Sequence, residues 1–401
     1  MTTQVQFLNG LDTIGGNVVS FTNGNTRLVM DFGMNFAPEQ SPSELLANGA
    51  LPDLPTLFTD TTSEIQETIF VSHLHLDHMG ALKYLAKPTN VYMSQESLAM
   101  YQALTDLAIE SAPNAILQAI QPEVPLKFGP FTITAFLTDH DAPGAYMFRV
   151  NDGQHTFVHS GDVRLDGPNP ERVMHWANVL GHETIDLFML EGTEFSFDND
   201  GDKTRVRRTE MSLQADFKTI LDTTDQMVVI NPYERNTPRL AKLMQTAQEA
   251  GRTLVWDTRF STVLHAMGIQ NILELGKDVT WAQILANPKQ YVVQNHFNDL
   301  HALDQLSDGF VYLHMNGEPL GDYDPRFNEL LDYLASRHVE MQYLGASGHA
   351  TPTDLIKLAE LVHAKVTVPW HSFKPEVQAA ALQAVGLKVL LPTKGDVLIF
   401  D

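Results

Sequence analysis

The hexapeptide His73-Leu74-His75-Leu76-Asp77-His78 puts four metal-capable side chains into six positions, directly after the apolar run Thr68-Ile69-Phe70-Val71-Ser72. Histidines two apart on an extended backbone point the same way, so His73 and His75 can share one ion. Asp77 and His78 fall at the turn into a helix beginning near Met79-Gly80, displaced far enough to serve a second ion. A solvated His/Asp loop is the competing explanation, and this spacing after a strand disfavours it. The chain is thus expected to build a strand, a ligand-bearing turn and a helix around two metals.

Composition narrows the chemistry. The sequence has no cysteine, so a disulfide framework, a thiolate metal site and a cysteine nucleophile are excluded. His, Asp and Glu remain as ligands, which fits zinc first and manganese second. A formal charge of −23 argues against a broad basic surface that grips nucleic acid by counterion release. It leaves room for a local polyanion site, because bound cations can dominate the charge of a cleft. The N-terminus has neither a basic start nor an apolar stretch of signal length, and no run is able to span a bilayer. A soluble, cytoplasmic protein without a membrane partner is expected.

At 401 residues with 43% apolar content, the chain suits about two domains. The first part reads as short strands, among them Gln4–Leu8, Asn17–Thr22, Thr26–Asp31, Glu67–Ser72, Phe131–Leu137 and His155–Ser160, with helical periodicity at Gly80–Ala86 and Glu96–Ala108. From about Thr204 helices and strands alternate regularly, as in a parallel α/β unit with crossover helices. The last stretch gives strand Glu340–Leu344, helix Pro352–Ala364, strand Lys365–Trp370, helix Pro375–Val385 and a terminal hairpin of Lys388–Leu391 with Asp396–Phe400. If ligands before and after the middle unit belong to one site, that unit is an insertion into the first domain.

Two-metal sites need further ligands, including a bridge. The candidates at strand ends are His140, Asp162 and His371, and Asp31 is a strand-end carboxylate better suited to orienting a ligand than to binding metal. Taken singly, each is more often an ordinary loop residue.

Taken together, the order of these motifs resembles the metallo-β-lactamase superfamily. Met189-Leu190-Glu191-Gly192-Thr193, the middle α/β unit, Ser347-Gly348-His349-Ala350 and Val368-Pro369-Trp370-His371 resemble the additional motifs of its β-CASP nucleases. The opening Leu8–Asn17 is most similar to the ribonuclease J branch. The resemblance implies an α/β fold, a metallo-β-lactamase αββα sandwich with an inserted parallel α/β (β-CASP) domain. The expected division is 1–203 and 337–401 for the sandwich and 204–336 for the insertion. It implies two divalent ions, one held by His73, His75, His140 and Asp162, the other by Asp77, His78, Asp162 and His371, with Asp162 as the bridge. It further implies that Asp77, Glu191 and His349 act in catalysis and that Ser347, Gly348, His349 and Ala350 hold the substrate phosphate.

An independent feature places an anion near His349. Thr351 and Pro352 read as the N-cap and first residue of a helix, whose free N–H groups and dipole favour negative charge. Gly15-Gly16-Asn17 reads as a turn in preference to a phosphate cradle, and Arg205, Arg207, Arg208, Arg235 and Arg239 as a solvated basic face in preference to a guide for an RNA chain. The remaining histidines, His159 among them, lack ligand-like spacing and read as structural. Two departures stand out: Ser372 follows the last ligand where ribonuclease J relatives carry Gly-Glu, and Glu191 stands where that branch commonly has Asp. With Asp401 soon after His371, a ribonuclease J C-terminal domain is not expected within this sequence.

The leading expectation is hydrolysis of single-stranded RNA by a two-metal-activated water, as an exo- or endonuclease, with homo-oligomerisation open. Hydrolysis of a small ester, lactone, thioester or phosphodiester is the second, and a non-catalytic RNA-processing scaffold the third.

Overall fold

A computed structural model describes residues 2–35, 40–60, 63–197, 207–321 and 324–401. It divides into two compact units: Met1–Arg205 with Gly348–Asp401, and Val206–Ser347. The first is therefore discontinuous in sequence.

Among the described residues of the first unit, the strands form two sheets. In spatial order, the seven-stranded sheet runs Val397–Phe400, Thr3–Asn9, Val18–Asn23, Thr26–Met30, Gln66–Phe70, Thr89–Met93 and Ala115–Ala119. The six-stranded sheet runs Thr367–Trp370, Leu187–Glu191, Thr156–His159, Tyr146–Asn151, Phe131–Leu137 and Leu126–Phe128. Their facing surfaces share one core, in which Phe7, Phe21, Leu28 and Phe70 meet Phe148, Phe157, Met189 and Trp370. Alternation along each strand sends every second side chain inward, and this period-2 pattern made most of these strands readable. The far face of the six-stranded sheet is covered by the helices Pro170–Leu180, Pro352–Val362 and Pro375–Ala384, which bury Trp176, Leu355 and Leu382.

Two local expectations are corrected. The helix expected over Gly80–Ala86 is instead a single turn at Leu76–Met79, closed at Gly80, followed by a 3₁₀ turn at Leu82–Tyr84. The terminal hairpin does not form. Val397–Phe400 pairs antiparallel with Thr3–Gln6, whereas Val389 bridges Thr367 of the other sheet. The two segments have apolar partners in different sheets, and those non-local pairings win over the short turn.

The second unit is a five-stranded parallel sheet in the order Thr253–Val255, Tyr291–Gln294, Val228–Pro232, Val311–Met315 and Met341–Tyr343. Val228 and Ile230 belong to the core on one face, Val229 to that on the other. The unit ends later than position 336, because Met341–Tyr343 pairs with Tyr312–His314 and belongs to this sheet. Arg239 is not on a solvated face: it is buried and gripped by Glu210, Asn316 and the Ala346 carbonyl. Arg235 is buried too, and Arg205 lies outside the described residues.

Candidate metal centre

Parallel strands in register end together, so residues that follow them converge on one edge. In the seven-stranded sheet Met30 is opposite Phe70, which brings Asp31 beside the segment leading to His73. In the six-stranded sheet Thr156–His159, Leu187–Glu191 and Thr367–Trp370 are mutually parallel, so Asp162, Glu191 and His371 gather at their C-terminal ends. Phe131–Leu137 runs in the same direction, being two antiparallel steps away, and delivers His140.

Donor atoms of His73, His75, His140 and Asp162 lie within 4.8 Å of one another, as do those of Asp77, His78 and His371. Asp162 adjoins both groups: its Oδ2 is 3.5 Å from His73 Nε2 and 3.3 Å from His78 Nε2, and its Oδ1 is 3.8 Å from His371 Nδ1. His73 Nε2 and Asp162 Oδ1 are buried and make no hydrogen bond among the described residues. Such orphaned, inward-facing donors are costly without a ligand, and imidazole with carboxylate is the donor set of divalent transition metals. The residues present therefore fit two cations that share Asp162.

The outward nitrogens of these histidines are held. His78 Nδ1 donates to Asp31 Oδ2 at 2.8 Å, and His159 Nε2 donates to the same oxygen at 2.8 Å. Asp31 also accepts from Ser72 N and Oγ. Burial opposes its charge, but His78 and His159 outweigh that and hold the carboxyl at about 2. His140 Nδ1 donates to the Gly348 carbonyl at 2.6 Å, and His371 Nδ1 lies 2.5 Å from Thr193 Oγ1. Asp31 and His371 both have left-handed backbones, with φ of 57° and 54°, and non-glycine residues hold that region at a cost of about 1–3 kcal/mol each. The His371 amide donates to Gly10 O and the Asp31 amide to Phe70 O, which fixes both.

His349 stands at the rim of this cluster. Its Nδ1 is 3.3 Å from Glu191 Oε1 and 3.9 Å from Asp162 Oδ2. Burial alone would lower its pKa; the Glu191 and Asp162 charges reverse the sign and raise it to about 10, which favours the imidazolium. Glu191 is itself buried and fixed by the Val163 and Thr193 amides. The helix Pro352–Val362 does begin beside His349, with Thr351 as its cap. The Ala350 amide, however, donates to Val163 O at 2.6 Å, so it ties the loop down and is not offered to an anion. Ser347 closes the second unit, whereas Gly348, His349 and Ala350 belong to the first.

Sequence reasoning assigned no role to Asp141, Ser72 or Thr193, and left His159 without one beyond structure. Asp141 Oδ1 lies 3.4 Å from His75 Nε2 and 3.2 Å from His140 Nε2. Its signal was its place next to His140. Thr193 and His159 carry no signal, since each acts across strands far apart in sequence, and Ser72 had only its place before His73.

A family model described as a Beta-lactamase superfamily domain matches residues 41–251, more than half of the chain. The chain is 23% identical over 400 residues to a ribonuclease J of Thermus thermophilus, an alignment covering 91% of this chain and 67% of that protein. It is 25% identical over 279 residues to a ribonuclease J of Mycolicibacterium smegmatis, of which it spans 47%, and 20% identical over 401 residues to one from Mycoplasma genitalium, of which it spans 68%. The chain thus spans between under half and about two thirds of these relatives. A crystal structure of a protein of unknown function from Enterococcus faecalis superposes with a TM-score of 0.87 over 100% of both chains at 24% identity, which shows the shared fold. Sheets, converging His and Asp side chains and family match agree: the chain belongs to the metallo-β-lactamase superfamily, whose chemistry is metal-dependent hydrolysis.

Proposed function

We propose that the protein is a two-metal phosphodiesterase acting on single-stranded RNA. The observation that carries this reading is the meeting of two donor groups at Asp162, with the Glu191–His349 pair at their edge. His73, His75, His140 and Asp162 would hold one ion and Asp77, His78, Asp162 and His371 the other, zinc first and manganese second. When bound, such ions supply Lewis acidity and lower the pKa of water for in-line attack on phosphorus. His349, charged by its carboxylate neighbours, is placed to donate a proton to the leaving oxygen or to stabilise negative charge as it develops. Glu191 orients that ring through Nδ1. Gly348 and His349 would bear on the phosphate, and Ala350 would contribute by fixing their loop. The ribonuclease J relatives support RNA as the substrate class.

The test is a time course with pure, metal-loaded protein on labelled single-stranded RNA, with and without a 5′-monophosphate. Cleavage that disappears in Asp77→Ala is expected; identical traces for both proteins would end this reading. The charge of −23 favours a smaller substrate as the second reading. A preference for chromogenic esters over RNA by orders of magnitude would establish it.

A further inference from the structure

We infer that Phe373 and Phe197 form a stacking platform for a nucleobase of single-stranded RNA at the rim of the metal centre, an inference that rests on the proposed function. Among the described residues these are the only exposed phenylalanines, at 55% and 43%, and both lie beside His371. Phe373 follows that donor by two positions, at most about 7 Å along the backbone. Phe197 follows the turn Thr193–Ser196, whose Thr193 Oγ1 lies 2.5 Å from His371 Nδ1. Leu76, 48% exposed, precedes Asp77, and Asp77 Oδ2 lies 2.7 Å from His371 Nε2. The Asp77–His371 contact is therefore flanked by exposed apolar side chains on both segments that supply it.

The backbone beneath the rings is fixed. Ser196 Oγ accepts from Phe373 N at 2.8 Å and lies 3.1 Å from Ser372 Oγ, which accepts from Lys374 N at 3.1 Å. Both serines are buried, so the two aromatic segments are tied together from below while their rings stay outside. Full burial of a phenylalanine contributes about 1.5–3 kcal/mol, part of which these two forgo. A nucleobase recovers it, because every base offers a π-face and a ring on a fixed backbone loses little freedom on contact. The charge of −23 adds a reason for this mode. An acidic surface gains little from counterion release, whereas stacking does not depend on net charge. Single strands fit such a platform, since their bases are free to be splayed out.

The test is steady-state cleavage of a short single-stranded RNA by the metal-loaded chain. Phe373→Ala is expected to raise KM by roughly 5–150-fold, the loss of one stacked base, with less of the effect on kcat. Phe373→Leu, apolar but without a π-face, is expected to lose nearly as much, and Phe373→Trp to keep the original KM. In a series of the same RNA lacking one base at a time, the effect of Phe373→Ala should vanish at one position. 2-Aminopurine at that position should be quenched on binding the unsubstituted chain and not on binding Phe373→Ala. If the unsubstituted chain cleaves no RNA, the proposed function fails and the platform with it. If it cleaves RNA but Phe373→Ala and Phe197→Ala stay within about 2-fold in KM, or lose equally on every abasic RNA, the platform is overturned while the nuclease reading stands. Unchanged kinetics with a shift of either variant to a smaller species in sedimentation would make the rings a contact between copies of the chain, which also overturns it.

Discussion

Removing the Asp31 carboxylate should weaken both the fold and the metal centre. Its Oδ1 accepts from Ser72 N at 2.7 Å, and its Oδ2 from Ser72 Oγ at 3.0 Å and from His78 Nδ1 and His159 Nε2 at 2.8 Å each. All of these groups are buried. Deleting one partner of a buried charged network leaves the others desolvated and unpaired, at a cost of about 3–5 kcal/mol. Asp31→Ala should lose that amount in urea unfolding of the metal-free protein. Asp31→Asn is the sharper variant, since Asn tolerates the left-handed backbone and keeps the Ser72 N contact. Its NH₂ faces the two histidines in place of an acceptor, so it should lose less stability but release His78. Affinity for the ion that His78 serves should then fall by about 10–100-fold. A stability loss in Asp31→Ala below about 1 kcal/mol, with metal affinity unchanged in both variants, would refute this account of the carboxylate.

Three further outcomes are expected. His349→Ala should lower kcat by about 10²–10⁴-fold while both ions remain bound, as metal analysis would show; loss of an ion would assign His349 to the ligand set. Gly348→Ala should force Asp141 or His140 to shift, because its Cβ would meet them at 2.5 and 2.9 Å, and chelator competition should show weaker binding of the ion that His75 serves. In the second unit, burial raises Asp257 to about 6 from 3.8 despite the bond its carboxylate accepts from Phe260 N. The folded chain then holds this proton more tightly than the unfolded one, so stability falls as pH rises from 3.8 through 6, by about 3 kcal/mol in all. Asp257→Asn should flatten that part of the urea-unfolding pH profile and stabilise the protein at neutral pH; an unchanged profile would contradict it.

The sequence made the centre legible where a ligand directly follows an apolar strand. His73, Asp162 and His371 all have that signature, because parallel strands deliver their C-terminal residues to one edge. Thr193 was not legible, since a hydroxyl gains its role only when another strand brings a histidine to it. The terminal segment misled for the same reason: Asp396–Phe400 looked like half of a hairpin, yet its partner is the N-terminal strand. The inserted sheet was clear from its regular alternation, but its last strand, Met341–Tyr343, is partly exposed and too short to advertise which unit it joins.

In the proposed reaction water, activated at the Asp162 centre, attacks phosphorus. RNA cleavage by the metal-loaded protein in heavy-oxygen water tests this directly by mass spectrometry of the products. Hydrolysis predicts a single heavy oxygen on the newly formed phosphate, and none when Asp162→Ala replaces the unsubstituted chain. Cyclic phosphate ends without heavy oxygen, or products unchanged in Asp162→Ala, would contradict it.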